Sequence, residues 1–337
     1  MNRTCYVIAE AGVNHNGSID LAHKLVDVAK AAGADAVKFQ TFDAATLVTE
    51  VADKAKYQKE NTASGGTQLE MLRKLELSSA QFRELFDHCK EIGIDFMSTP
   101  FDEASADFLA EMGMTIFKIP SGEVTNPLLL KHVAKLGGHV ILSTGMCNLA
   151  EVERAVHWIT GVNDRELWIL HCVSAYPAPL EEVNLRAMAS MEHAFGCPVG
   201  LSDHTQGTDI PIAAAALGAV CIEKHYTLDR TMAGPDHAAS LEPDELESMM
   251  KAIRGVHLAL GDGIKRRTAS EEDTARVARR SIVLAGALAE GHILVEGDLR
   301  LKRPGTGLSP ELLGIVLGMR LRRSLPADTL LALSDLS

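Results

Sequence analysis

The sequence lacks the features of several common protein classes. It has no run of about 18 to 20 uninterrupted apolar residues, the length that a membrane-spanning helix needs. Basic residues are in the minority, because 33 Lys and Arg stand against 45 Asp and Glu, a formal net charge of −12. A protein that binds nucleic acid needs a basic stripe to displace counterions. We therefore expect a soluble protein with neither a nucleic-acid nor a membrane partner.

Cysteine is present, but not in pairs. The six cysteines are scattered without the Cys-x-x-Cys spacing of a metal or redox motif, and three lie in apolar, strand-like runs. The chain also begins a strand almost at once, without the charged and apolar regions of a signal peptide. These features indicate reduced, buried thiols and a cytoplasmic location.

Short apolar segments of strand character recur along the chain, and each is followed by a helical pattern. The predicted strands are 6–9, 36–40, 95–98, 116–119, 140–143, 167–171, 199–203 and 220–225. Eight such units form parallel strands with right-handed crossovers and close into a TIM barrel, (β/α)8, of about 250 residues. An open doubly wound sheet would carry a Gly-rich phosphate turn after its first strand, and Gly12 and Gly17 do not reproduce that motif.

The remaining segments define the domain organisation. We predict a barrel domain over 1–263, a charged linker over 264–280 and a small C-terminal domain over 281–337 with β-like runs at 281–284 and 292–295. About 57 residues bury little core, so this C-terminal module is expected to dock on another surface. One long insertion, 43–77, follows the second strand and is predicted to form a wall or lid of the active face.

Two histidines follow the seventh and eighth predicted strands. His204 lies in Ser202-Asp203-His204-Thr205 and His225 closes Glu223-Lys224-His225. The carboxyl ends of barrel strands carry the catalytic groups of this fold. A lone histidine there is usually a hydrogen-bonded structural residue, whereas two on adjacent strands can share a metal ion. The residues alone leave both interpretations open.

Two lysines end apolar strands at the same edge. Lysine is rarely buried without a partner, so Lys38 and Lys118 either pair with Glu10 and Glu123 as structural ion pairs or bind a small anion. Hydroxyl groups follow other strands, and ammonium and hydroxyl donors together suit a phosphate with an attached carboxylate. The hydroxyl residues at the strand ends include Thr99, Ser121, Ser143 and Ser202.

Several segments resemble the sialic acid synthase family, and the resemblance extends over essentially the whole chain. The segments that carry it are 8–17, 37–42, 117–123, 142–146, 202–205, 223–225 and 234–237. The stretch 302–307 is similar to the antifreeze-like (SAF) β-clip domain that follows the barrel in that family. Family members condense phosphoenolpyruvate with a sugar of the N-acetylmannosamine type, so the resemblance implies a transferase.

The resemblance also implies a role for individual residues. It assigns a divalent ion, Mn²⁺ first with Mg²⁺ or Co²⁺ as alternatives, to His204 and His225. It assigns phosphoenolpyruvate to Lys38, Thr99, Lys118, Ser121, Ser143, Ser202 and Ser174, the last replacing an asparagine of some members. It assigns the sugar to Gln40, Asn61, Tyr176 and Asp236, and catalysis to Glu10, Glu123, Lys38 and Lys118. Arg303 would reach the sugar of the other subunit, which implies a domain-swapped homodimer.

The predicted function is N-acetylneuraminate synthesis from phosphoenolpyruvate and N-acetylmannosamine, with release of phosphate. The alternative within the family is N,N'-diacetyllegionaminate synthesis from 2,4-diacetamido-2,4,6-trideoxymannose. Contacts from the insertion, about 61–68, are expected to distinguish the two sugars. A non-catalytic sugar or phosphosugar-binding protein is the alternative from another class, since it would use the same lysines without a metal.

Overall fold

The computed structural model describes residues 4–62 and 66–337 and contains two compact units, Met1–Gly261 and Asp262–Ser337. Eight parallel strands form the first unit. They are β1 (Tyr6–Gly12), β2 (Ala36–Thr41), β3 (Asp95–Pro100), β4 (Ile116–Ile119), β5 (His139–Ser143), β6 (Leu167–Cys172), β7 (Val199–Asp203) and β8 (Cys221–His225). Their order, β3-β2-β1-β8-β7-β6-β5-β4, is that of a barrel, which confirms the predicted fold class.

The barrel is closed by a seam. β3 and β4 lie against each other, but no hydrogen-bonded ladder joins them in the described part of the chain. Inside the ring, Ile8, Met97, Ile141 and Leu170 form an apolar centre. Strands that are buried on both faces read as continuous apolar runs, and this explains why the sequence located them so well.

Helices cover the outside of the barrel. Those of the first unit are α1 (Ile19–Ala32), α2 (Ala44–Leu47), α3 (Lys56–Thr62), α4 (Gln68–Arg73), α5 (Ser79–Ile92), α6 (Glu103–Glu111), α7 (Pro127–Lys135), α8 (Leu149–Thr160), α9 (Ala187–Phe195), α10 (Asp209–Ala216) and α11 (Pro243–Leu260). Their ends follow local chemistry. For example, the Ser18 side chain accepts from Leu21 N at the start of α1, and Gly33 ends that helix with a φ of 84°. None of the described helices is both long and apolar enough to cross a membrane.

The predicted insertion after β2 is folded. It forms the short helices α2, α3 and α4, and α2 and α4 share an apolar cluster with the barrel mouth. The cluster contains Val13, Phe42, Leu69, Met71, Leu72 and Leu75. Residues 63–65, which belong to the segment expected to distinguish the sugars, lie outside the described residues.

The second unit is a small β-rich module. β9 (Ser281–Leu284) pairs antiparallel with β10 (Leu299–Lys302), and the short helices are α12 (Glu272–Ala278) and α13 (Leu313–Val316). α12 lies within the segment expected to be a linker. The predicted strand at 292–295 is wrong, because Ile293 makes only an isolated bridge to Arg320. Only Leu294 of that stretch is fully buried, so an apolar run there anchors a loop rather than a strand.

Candidate active site

The carboxyl ends of the barrel strands surround a cavity of about 520 Å³. Most of the catalytic, substrate-binding and metal-binding residues predicted from the sequence line this cavity. Those that line it are Glu10, Lys38, Gln40, Thr99, Lys118, Ser121, Glu123, Ser143, Ser174, Tyr176, Ser202, His204, His225 and Asp236. They come from the ends of the strands or from the segments that follow them, and only the closure of the barrel brings them together.

One side of the cavity is a chain of alternating charges. Lys38 Nζ lies 2.7 Å from Glu10 Oε2 and 3.6 Å from Glu223 Oε2, and Lys118 Nζ lies 3.2 Å from Glu223 Oε1. All four side chains are buried. We call Glu10, Lys38, Lys118 and Glu223 the charged side. Of the structural pairs considered from sequence, Lys38 with Glu10 is formed, whereas Lys118 pairs with Glu223 instead of Glu123.

The sequence reasoning did not assign Glu223 to the site, yet Glu223 is central to it. Ser202 Oγ donates to its Oε1 over 2.8 Å, in addition to the two lysines. A usable signal was present. Glu223 lies two residues before His225 on β8, so strand alternation places both side chains on the same face. Glu123, in contrast, is only half-buried, and it accepts from Asn126 Nδ2 over 2.8 Å.

The two buried carboxylates differ in proton affinity. Burial raises the pKa of Glu10 to about 7, with Lys38 opposing the rise and Glu223 adding to it. Burial also opposes ionisation of Glu223, but Lys118 and Lys38 outweigh it and hold the pKa of Glu223 below its ordinary value. One carboxylate is therefore ionised throughout the neutral range, and the other can exchange a proton there.

The two histidines lie together next to the charged side, because His225 is the register partner of Glu10. Their ring centroids lie 5.5 Å apart, and the Tyr176 ring lies 4.1 Å from that of His204. His204 Nδ1 lies 2.8 Å from Val173 O. When Nδ1 donates to that carbonyl, Nε2 keeps its lone pair, as metal-binding histidines do.

These rings fit a divalent cation. Burial holds the pKa of His225 well below its ordinary value, so the ring is neutral, and its buried Nδ1 has no hydrogen-bond partner among the described residues. For His204, burial lowers the pKa, but the contact with Cys172 and the bond to Val173 raise it overall, so a cation would replace a proton there. No cluster of three or more His, Cys, Asp or Glu suits a metal within the described residues. The remaining positions would therefore go to substrate or water.

The opposite face of the cavity is apolar and comes largely from the insertion. We call this set the apolar wall. Its members are Phe42, Leu47, Val48, Met71, Leu72, Leu75 and Phe101. Tyr57 of α3 continues it, stacking on Tyr176 with ring centroids 4.9 Å apart.

Asn61 and Asp236 are linked through one loop. Asn61 is not among the residues that line the cavity, because its Nδ2 donates to Pro235 O over 2.7 Å. Asp236 follows directly and is buried against the cavity, and burial raises its pKa to about 6 with His204 opposing. Asn61 therefore ties α3 to the loop that carries Asp236.

The remaining residues to describe are Gly145, Ser143 and Arg303. Gly145 has no room for a side chain, since an added Cβ would lie 2.2 Å from Ser174 Oγ, and its amide donates to Ser121 Oγ over 2.8 Å. Ser143 Oγ is buried and has no hydrogen-bond partner in the part of the chain that the structure describes, which is typical of a group that binds a ligand. Arg303 lies exposed in the second unit.

Comparisons with known proteins agree with this geometry. The NeuB family matches residues 25–265, and the SAF domain matches residues 279–337. N,N'-diacetyllegionaminic acid synthase of Campylobacter jejuni is 50% identical over 90% of this chain and 91% of its own length. The synthase of the same name from Legionella pneumophila is 46% identical over 97% and 93%.

More distant relatives extend the comparison. Human N-acetylneuraminate-9-phosphate synthase is 36% identical over 88% of this chain and 83% of its own length. The crystal structure of N-acetylneuraminic acid synthetase from Leptospira borgpetersenii, in complex with citrate, superimposes with a TM-score of 0.72 and 34% identity, over 81% of this chain and 90% of that one.

Proposed function

The chain belongs to the NeuB family, and we propose that it condenses phosphoenolpyruvate with 2,4-diacetamido-2,4,6-trideoxymannose to N,N'-diacetyllegionaminate, releasing phosphate. The observation that carries this choice is the 50% identity to a legionaminic acid synthase, against 36% to the human N-acetylneuraminate-9-phosphate synthase. The comparisons thus favour the diacetamido sugar over N-acetylmannosamine as the substrate. They also favour an enzyme over a binding protein, because the named relatives are synthases.

The charged side supports phosphoenolpyruvate as the first substrate. Lys38 and Lys118 supply two ammonium groups for its phosphate and carboxylate, and nearby hydroxyls supply further donors. Thr99 already accepts from Lys38 Nζ over 3.0 Å, which leaves its own hydroxyl hydrogen free to donate. The unpartnered Ser143 Oγ is a second donor for this anion.

The apolar wall supports the trideoxy sugar as the second substrate. This sugar carries a methyl group at C6 and an N-acetyl methyl at C4, where N-acetylmannosamine carries hydroxyls. Burying a methyl-sized group stabilises a complex by about 0.8 kcal/mol, whereas burying an unpaired hydroxyl costs energy. A wall that contains Leu47, Val48 and Met71 therefore suits the less polar sugar.

The reaction forms a carbon–carbon bond from C3 of phosphoenolpyruvate to the sugar aldehyde carbon, whose oxygen takes up a proton and becomes a hydroxyl, and positive charge develops at C2. Water adds at C2 and loses a proton, after which the C–O bond to phosphate breaks and leaves the 2-keto acid. Glu223, held ionised between Lys118 and Ser202, is placed to stabilise that charge. Glu10 has one oxygen towards Lys38 and the other towards Gln40, and it is placed to take the proton from water.

We propose that His204 and His225 hold a divalent cation, Mn²⁺ first with Mg²⁺ or Co²⁺ as alternatives. Such an ion supplies Lewis-acid polarisation of the sugar carbonyl. The protein's own part is to present two imidazoles beside Tyr176 and Asp236 and to orient the aldehyde towards the anion site.

We further propose a domain-swapped homodimer of cytoplasmic location, in which the partner's Arg303 reaches the sugar. Two observations support association. Residues 262–337 carry 12 Lys and Arg against 10 Asp and Glu, so the acidic charge of the chain lies in the barrel. The barrel also exposes Leu128, Met146, Leu149 and Leu180 around the ends of β4 to β6. A fully active monomer, or full activity after deletion of 281–337, would contradict this proposal.

Phosphate release by the purified protein tests the proposed function. The assay supplies phosphoenolpyruvate and Mn²⁺ with either sugar, and a parallel reaction contains a chelator. We expect chelator-sensitive release, with kcat/KM higher for the diacetamido sugar than for N-acetylmannosamine. Preference for N-acetylmannosamine would make the protein a neuraminate synthase, and release with neither sugar would overturn the substrate assignment.

A further inference from the structure

A buried ion pair lies directly behind the two histidines. Asp203 and Lys224 are register partners on β7 and β8, and each comes one residue before a histidine. Their side chains are 2% and 1% exposed, and Lys224 Nζ lies 2.5 Å from Asp203 Oδ2. Neither lines the cavity, because strand alternation turns them away from it. The proposed reaction therefore gives them no direct task.

The pair binds the residues on both sides of His204, which are Asp203 itself and Thr205. Lys224 Nζ donates to Thr205 O as well as to Asp203, so it holds the residues on both sides of this histidine. Asp203 in turn accepts from Thr205 N over 3.2 Å and from Thr205 Oγ1 over 3.0 Å. One ammonium group on the strand of His225 thus fixes the chain around His204.

Stability alone does not explain this arrangement. Removing two charges from water is costly, and buried ion pairs can often be replaced by apolar residues without loss of stability. A rigid separation between two ligands, in contrast, matters for a cation that both must reach. We propose that the Asp203–Lys224 pair is a positioning device that sets the separation of His204 and His225 and, through it, the affinity of the site for a divalent cation. This inference rests on the metal site of the proposed function.

The test is the double variant Asp203→Asn/Lys224→Met in the full chain. It removes both charges together, so no buried charge is left without a partner, but it also removes the bond to Thr205 O. Mn²⁺ binding is measured without substrates, from the electron paramagnetic resonance signal of the free ion, and thermal unfolding is followed in parallel. We expect a melting temperature near that of the wild type and a Kd for Mn²⁺ raised about tenfold or more. The Mn²⁺ concentration for half-maximal activity should rise by the same factor, with little change in kcat at saturation.

Asp35→Asn/Arg254→Met is the matched control. This ion pair, with Arg254 NH2 2.6 Å from Asp35 Oδ2, lies at the opposite end of the barrel, where Arg254 also donates to Cys5 O. The control should bind Mn²⁺ as the wild type does, whatever it does to the melting temperature.

The outcomes separate the two proposals. A folded Asp203→Asn/Lys224→Met variant with wild-type Mn²⁺ affinity would overturn the positioning role alone, and so would an equal loss of affinity in the control. If the double variant does not fold, Asp203→Asn/Lys224→Leu, which likewise removes both charges and the bond to Thr205 O, replaces it, and an unchanged Kd would again overturn the role. A wild-type protein that does not bind Mn²⁺ would overturn the metal site itself, and the positioning role with it.

Discussion

The two sides of the cavity are built in different ways. The charged side comes from the ends of β1, β2, β4 and β8, which are held by backbone ladders and packed helices. The apolar wall comes mainly from α2 and α4 and from the loops between them, which are short elements added after one strand. The contrast suggests a division of work in which the scaffold fixes the chemistry and the insertion selects the sugar. Each of the following substitutions tests one side of that division.

The largest effect is expected on the charged side. Lys118→Met removes a proposed phosphoenolpyruvate ligand and one partner of Glu223, while Lys38 still lies 3.6 Å from Glu223 and helps retain the fold. Breaking a buried, functional charge pair should lower kcat/KM roughly a thousandfold with either sugar. Lys90→Met, at a lysine that lies over the Phe86 ring, is the control and should keep activity. Steady-state phosphate release measures both, and a loss confined to one sugar would count against the division.

The next two substitutions compare Glu10 and Glu123, the two carboxylates that the sequence predicted to be catalytic. Glu10→Gln should lower kcat about a hundredfold, because a buried group that moves a proton is lost. Glu123→Gln should cost less, since Glu123 is only half-buried and is engaged with Asn126. Circular dichroism checks that both variants fold. Full activity in Glu10→Gln would remove that residue from the mechanism.

Substitutions in the apolar wall should change the preference between the two sugars and not the overall rate. Met71→Gln places a polar amide on the wall proposed to contact the sugar, which should lower kcat/KM for the diacetamido sugar about tenfold relative to N-acetylmannosamine. The KM for phosphoenolpyruvate should stay near the wild-type value. An equal loss with both sugars would mean that this wall supports the site without selecting the substrate.

The smallest effect is expected at the junction between the two sides. Asn61→Ala removes the hydrogen bond to Pro235 O that ties α3 to the Asp236 loop. The loss of about 1 kcal/mol should raise the KM for the sugar about fivefold and leave the KM for phosphoenolpyruvate unchanged. Asn126→Ala, which frees Glu123, offers a comparison at a site away from this loop. No change in the sugar KM would show that the loop is held by its other contacts.

The sequence predicted the charged side better than the apolar wall, and the reason is geometric. Parallel strands show continuous apolar runs, and their polar ends must meet at one edge, so the strand pattern alone places Lys38, Lys118 and the histidines together. The partner of Lys118 could not be found this way. Whether Glu123 or Glu223 faces it depends on the tilt and closure of the whole ring.

The structures of the insertion and of the second unit were harder to predict from the sequence. Short helices such as α2 carry too few residues for a periodic pattern, so the apolar wall was expected only as a lid or wall of unknown chemistry. The stretch 292–295 has the composition of a strand, but an isolated bridge at Ile293 leaves it outside the sheet. Likewise the charged segment before β9 contains α12, whose helix lacks buried residues and hence an apolar face to recognise.

The seam of the barrel runs through the proposed anion site. Lys38 and Thr99 stand on β2 and β3, while Lys118 and Ser143 stand on β4 and β5, so the seam between β3 and β4 divides the groups that would hold phosphoenolpyruvate. Elsewhere the ring resists stretching, because widening it breaks backbone hydrogen bonds. At the seam, side-chain packing and the ion pairs of Lys38 and Lys118 with Glu223 oppose such a movement in the described part of the chain. The two halves of the proposed anion site therefore stand on strands that no ladder joins directly in the described part of the chain, whereas the two histidines stand at the ends of β7 and β8, which a ladder does join.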